Sequence, residues 1–129
     1  MNKPIAPLPT MEPSDLTIDR DQLVQISGGD RAFELMLLRT YLDDSVHRLE
    51  LLRRAAEEGN LSEIHFQAHQ LRGASAGVGA QGVLHLARLL EAKDRQTSRD
   101  GLLALIGQLA TNLSKIEAFV VALEAEVDD

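Results

Sequence analysis

Every proline in the chain lies within the first 13 residues, at Pro4, Pro7, Pro9 and Pro13, and from Ser14 to Asp129 there is none. Proline removes a backbone donor and breaks helix interiors. The distribution therefore divides the sequence into an extended leader, residues 1–17, and a stretch, residues 18–127, that is free to be helical throughout. The leader reads as a tail or a linker, because termini are poorly ordered unless something ties them down; a strap packed on the domain is the alternative. As a linker it suits a piece of a larger protein, while Met1 suits a free-standing chain as well.

The proline-free stretch carries helix punctuation at regular intervals. Asp19 and Gln22 have N-cap and N3 spacing for a short helix with Leu23, Val24 and Ile26 on its apolar side, stopped by Gly28-Gly29. Asp30 caps the next helix, which runs to Glu58 and ends at Gly59, with Leu38, Tyr41, Leu42, Ser45, Leu49, Leu52 and Ala56 facing inward. Asn60 and Glu63 form a capping-box pair for a third helix, whose seam is Leu61, Ile64, Ala68, Leu71, Ser75 and Val78. A fourth segment spans Ala80 to about Lys93, with Val83, Ala87 and Leu90 inward and Leu84 and Leu86 beside them. The polar stretch DRQTSRDG, from Asp94, is a turn, and Ser98 or Asp100 starts the last helix. There Leu102, Ile106, Leu109, Leu113, Ile116, Val120 and Leu123 recur every three or four residues without a gap, the cleanest periodicity in the chain. No segment alternates with period two over a useful length. Four amphipathic helices with short connections predict an all-α, antiparallel up-down four-helix bundle with a short extra N-terminal helix.

Composition narrows the function classes. A length of 129 residues fits one domain, since domains commonly run about 100–150 residues. Aromatics make up only 3% of the chain, so the core must be built from Leu, Ile, Val and Ala. With no cysteine there is neither a disulfide nor a thiolate metal site, and a reducing compartment is allowed. A net charge of −7 argues against nucleic acid as the main partner. No apolar run approaches the roughly 18–20 residues of a membrane span, and the N-terminus lacks a signal-peptide core.

Against this helical background, residues 68–82, AHQLRGASAGVGAQG, hold four glycines, Gly73, Gly77, Gly79 and Gly82. Each costs roughly 0.5–1 kcal/mol against alanine in a helix interior. Gly77 to Gly82 satisfies G-x-G-x-x-G, but that motif binds dinucleotides only at a strand-to-helix turn, and here a helix precedes it. Gly77 and Gly79 fall where one helix ends and another begins, and are expected to take up the left-handed reversal. Gly82 falls in the first turn of the next helix with no evident task.

Of the four histidines, His47 and His85 read as solvated or edge positions. His65 and His69 are one turn apart, a spacing at which two histidines can share a metal, yet two imidazoles need at least a third ligand and HFQAH lacks the glutamate of HExxH. His69 shares a helical stripe with Arg72, Gly73 and Ala76, beside the buried seam. It is expected to project outward, with a permanent cation one turn away and a glycine that opens the surface above it. A surface histidine near a helix-packing glycine, in a non-catalytic helical adaptor, accounts for these residues equally well on physics alone.

Residues 68–91, AHQLRGASAGVGAQGVLHLARLLE, resemble the core motif of histidine-containing phosphotransfer (HPt) domains, roughly Ala-His-x-Leu-Lys-Gly-x-Ser/Ala, then Leu-Gly-Ala, then Leu, a small residue and Leu-Glu. Ala68, His69, Leu71, Gly73, Ser75, Gly79, Ala80, Leu90 and Glu91 match as they stand. Arg72 replaces the usual lysine and keeps the charge, Val78 and Val83 replace leucines, and Ala87 holds the small position. The resemblance implies a phosphocarrier rather than a classical enzyme. His69 is then the phosphoacceptor between receiver-domain aspartates, Arg72 neutralises the phosphate and Gly73 admits the receiver loops. Glu91 would accept a hydrogen bond from the second imidazole nitrogen; a solvated charge, or a partner for Arg88 or Arg95, is the plain alternative. The resemblance further implies partners among response-regulator receiver domains and hybrid sensor histidine kinases, and a cytoplasmic location. It implies no metal or other cofactor of the chain's own, with Mg²⁺ supplied by the receiver. Most such domains are monomers, and a net charge of −7 does not encourage self-association. The docking face is expected to be less acidic than the whole, with Ala76, Phe66 or Leu84 at its apolar centre.

Overall fold

The computed structural model describes residues 17–128. The leader expected over residues 1–17 lies outside them except for Thr17, which is buried together with Ile18. Five helices follow: α1 (Arg20–Ser27), α2 (Arg31–Glu58), α3 (Leu61–Val78), α4 (Gln81–Glu91) and α5 (Arg99–Asp128).

Local chemistry accounts for most of the helix ends. Asp19, Asp30 and Asn60 each accept a hydrogen bond from the backbone N–H three residues on, at Gln22, Phe33 and Glu63. Ser98 does the same for Gly101, so Ser98 rather than Asp100 caps α5. Each cap satisfies an amide that the helix leaves unpaired, typically worth about 1 kcal/mol. At the other ends Gly28, Gly59 and Gly79 take φ values of 67°, 70° and 79°, the left-handed stop. The reversal expected of Gly77 does not occur: it stays inside α3, and Gly79 alone turns the chain.

α4 departs from expectation at both ends. It starts at Gln81 on Ala80, which has no capping side chain because it is fully buried, where a polar group would need a partner. It ends at Glu91 rather than near Lys93, and its C-cap, Ala92, keeps right-handed backbone angles.

α2 packs against α3 and α5, and α4 packs against α3 and α5. Cross-helix bonds run antiparallel: Tyr41 to Ser75 and Arg48 to Gln67 between α2 and α3, Arg39 to Glu117 and Glu124 between α2 and α5. The result is the up-down bundle. Its centre is aliphatic, with Leu38, Leu52, Ile64, Leu71, Leu90 and Ile106 essentially inaccessible. Phe119 joins it on α5, one position from the expected stripe. Such side chains supply roughly 1.5–3 kcal/mol each on burial.

α1 closes one end of the bundle. Its Asp19 N–H donates to the Gly79 carbonyl at 2.7 Å, and Gln22 Nε2 donates to the Ala76 carbonyl at 2.6 Å. Arg20 stacks over Phe119 with its guanidinium 5.3 Å from the ring centre. The C-terminal turn of α3 is thereby fixed from outside the bundle. Among the described residues, no helix is long and apolar enough to cross a membrane.

Candidate functional site

Ala68, Leu71 and Ser75 are buried on α3, which turns the intervening positions toward solvent. His69 is accordingly 57% exposed, and Arg72, one turn later, is 42% exposed. Neither ring nitrogen of His69 is walled off by the core. Gly73 follows on the same surface, and a Cβ built there would meet nothing within 4 Å. Nothing inside the molecule requires glycine at that position. Its effect is outward, leaving bare backbone beside the imidazole.

Glu91, the last residue of α4, reaches across to both side chains. Its Oε2 lies 2.8 Å from His69 Nδ1 and its Oε1 lies 3.1 Å from Arg72 Nε. A carboxylate only accepts, so the hydrogen on Nδ1 is donated to Glu91. The same nitrogen has no lone pair left for Arg72 Nη2, 3.2 Å away, and Arg72 is held through its Glu91 contact. In a neutral imidazole whose Nδ1 carries the hydrogen, Nε2 carries the free lone pair. In that neutral form the Glu91 bond fixes the tautomer from behind and leaves Nε2 as the nucleophilic nitrogen of a side chain that is 57% exposed. Glu91 thus pairs with His69 and Arg72 rather than with Arg88 or Arg95. Arg72 lies along the Nδ1 edge of the ring, so its guanidinium must turn to reach a group on Nε2.

The surroundings are apolar and poor in acid. Phe66 is 54% exposed, Ala76 is exposed and Leu84 is half-buried. Between residues 61 and 99 there are five Lys and Arg against three Asp and Glu, in a chain whose net charge is −7. The negative charge is concentrated on the other helices.

The remaining histidines behave differently. His47 and His85 are exposed. His65 is half-buried and its Nε2 lies 2.7 Å from the Lys93 carbonyl, so that nitrogen carries a hydrogen and donates it. Among the described residues no three His, Cys, Asp or Glu side chains are grouped to hold a metal ion. The sequence pattern did not single out His65 for this bond, because its partner is a backbone carbonyl and leaves no residue-type signal. It missed Gln67 too, which is buried between Arg48 and Glu63 at 2.8 Å from each.

Residues 36–126 match the family model described as the Hpt domain. Two solved structures are similar to the chain. Histidine-containing phosphotransfer protein B (HptB) from Pseudomonas aeruginosa PAO1 is 24% identical, with a TM-score of 0.63 over 85% of this chain and 93% of its own. The HPT domain of the Hpt sensor hybrid histidine kinase from Shewanella is 22% identical, with a TM-score of 0.62 over 87% and 94%. Both likenesses concern the fold. A search of curated proteins returns no match.

Proposed function

As a member of the Hpt domain family this chain is a histidine phosphotransfer module of a two-component phosphorelay, and we propose that His69 is its phosphoacceptor. Family membership makes receiver domains or histidine kinases its partners. The observation that carries the assignment is the His69 side chain, 57% exposed, with Nδ1 bound to Glu91 at 2.8 Å and Nε2 left as its other nitrogen.

The Nε2 lone pair attacks the phosphorus of a receiver's aspartyl phosphate. The N–P bond forms as the bond from phosphorus to the aspartate oxygen breaks, and the aspartate leaves as a carboxylate. The Nδ1 hydrogen stays in place, and the positive charge that develops on the ring is met by the Glu91 carboxylate. Arg72 turns from Glu91 to the phosphoryl oxygens, where a guanidinium offers charge and paired donors. Gly73 gives the receiver loops room to bring the two reactants into line, which supplies much of the catalysis in phosphoryl transfer. Running the same step in reverse passes the group to another receiver.

On this reading the chain is a phosphocarrier with no cofactor of its own. Mg²⁺ belongs to the receiver and neutralises charge on the phosphate there. The acid-poor surface around Phe66, Ala76 and Leu84 is the docking face, suited to the acidic surroundings of a phosphorylatable aspartate. We further assign the module to the cytoplasm, as a monomer, with residues 18–127 as one domain.

Incubation with a phosphorylated receiver tests the assignment. The wild-type protein gains acid-labile phosphate, and His69→Gln gains none while keeping its helical signal and melting temperature. Unchanged labelling of His69→Gln would remove the assignment.

A further inference from the structure

We propose that His65 is a positioning residue for the site: its bond to the Lys93 carbonyl holds the end of α4, and with it Glu91, in register with His69. The proposal rests on His69 as phosphoacceptor for its functional consequence, but the geometry it invokes is independent of phosphate.

Glu91 is half-buried at the end of its helix, where the Ala92 N–H still bonds the Arg88 and Leu89 carbonyls and the Lys93 N–H bonds that of Leu90. It is the final residue of an 11-residue helix, and Ala92 beyond it provides no left-handed stop. Helix ends fray, and termini open at lower cost than interiors. Leu90 anchors the last turn of α4 to the core from one side. On the side facing His69, the His65 bond joins α3 to the chain two residues past Glu91, at 2.7 Å.

His65 and His69 are successive members of one stripe on α3, so two cross-links bridge the same pair of helices side by side. They differ in stiffness. The His69 link ends on a glutamate side chain with three rotatable bonds, whereas the His65 link runs from a short ring to a backbone carbonyl. The stiffer link sets the position from which Glu91 reaches the imidazole. A carbonyl only accepts, so His65 donates from Nε2.

The test compares wild type, His65→Leu, His65→Ala and His65→Gln in the full chain. A glutamine amide places a donor near the position of imidazole Nε2; leucine and alanine place none. Long-range ¹H–¹⁵N spectra of the imidazoles report the tautomer of His69, and transfer from a phosphorylated receiver reports the rate. In the wild type His69 carries its hydrogen on Nδ1. In His65→Leu and His65→Ala that preference weakens and transfer slows by about three- to tenfold, the effect of losing one well-formed hydrogen bond. His65→Gln restores both. If either non-donating variant folds and keeps the wild-type tautomer and rate, the proposal is overturned. It is equally overturned if His65→Gln is as impaired as His65→Ala. Should His65→Leu fail to fold, His65→Ala decides. If His69→Gln still takes up phosphate, the phosphoacceptor assignment fails, while the tautomer spectra still judge the clamp.

Discussion

The α2–α5 and α3–α4 seams are built from the same aliphatic stripes, yet their surfaces are finished in opposite ways. Along α2–α5 the charges are matched with one another. Arg39 bonds Glu117 and Glu124 at 2.9–3.0 Å, and its guanidinium is pushed above its ordinary range by the bonds to Glu124 and then Glu117. The Arg39 bond in turn holds the Glu124 carboxyl below the usual range. Along α3–α4 an arginine and a glutamate converge on an exposed imidazole, beside a glycine that packs against nothing. The first arrangement spends its charges on joining helices. The second leaves a nucleophilic nitrogen and open backbone available to another molecule. On the proposed assignment of His69, function lies where the surface is least consumed by the fold.

The two seams meet at Tyr41, which gives the largest expected effect. Its hydroxyl bonds Ser75 Oγ at 2.7 Å inside the bundle, and burial pushes its pKa up to about 12, against the opposing effect of the bond to Ser75. The folded value exceeds the unfolded one, so the neutral, protonated phenol is the form the fold favours. Its contribution is complete below pH 10 and is lost as pH rises through 12. Over that window stability should fall by about 2–3 kcal/mol. Denaturant melts across this range, compared with Tyr41→Phe, measure it. If the bundle is one cooperative unit, probes on both seams shift together; separate transitions would break the comparison at its base.

Charge removal separates the seams next. Glu91→Ala should slow phosphotransfer about tenfold, the scale of one charge-assisted hydrogen bond, with little change in melting temperature. Arg39→Ala should do the reverse, leaving transfer intact and lowering the melting temperature by an amount that shrinks as salt is added. Paired transfer assays and thermal melts at two salt concentrations read both. A loss of transfer in Arg39→Ala would contradict the division of labour.

Glycines sharpen it further. Gly79 sits at φ 79°, and an added Cβ would lie 3.2 Å from the Asp19 carbonyl oxygen, so Gly79→Ala should cost roughly 1–2 kcal/mol. Gly73→Ala should instead stabilise the helix by about 0.5–1 kcal/mol while slowing transfer. Urea unfolding and receiver assays on the two variants check this. A Gly73→Ala protein that is more stable and equally active would show that the bare backbone has no role in docking.

These contrasts also explain what could be read from sequence. Asp19, Asp30 and Asn60 as caps, and Gly28, Gly59 and Gly79 as stops, act through local geometry and were legible. The end of α4 was not, because Ala92 is neither glycine nor proline and carries no punctuation. His69 stood out through neighbours one turn away on its own helix. Arg39 did not, since Glu117 and Glu124 are 78 and 85 residues distant and only the tertiary fold brings them together. The burial of Gln67 and Phe119 lies one position off otherwise clean stripes, where a small rotation of a helix decides the outcome.

The most direct measurement concerns which imidazole nitrogen receives the phosphoryl group. Protein labelled with ¹⁵N and phosphorylated by a receiver should show phosphorus coupled to Nε2 of His69, with Nδ1 still carrying its hydrogen toward Glu91. Phosphorus on Nδ1, or on any other histidine, would contradict the account.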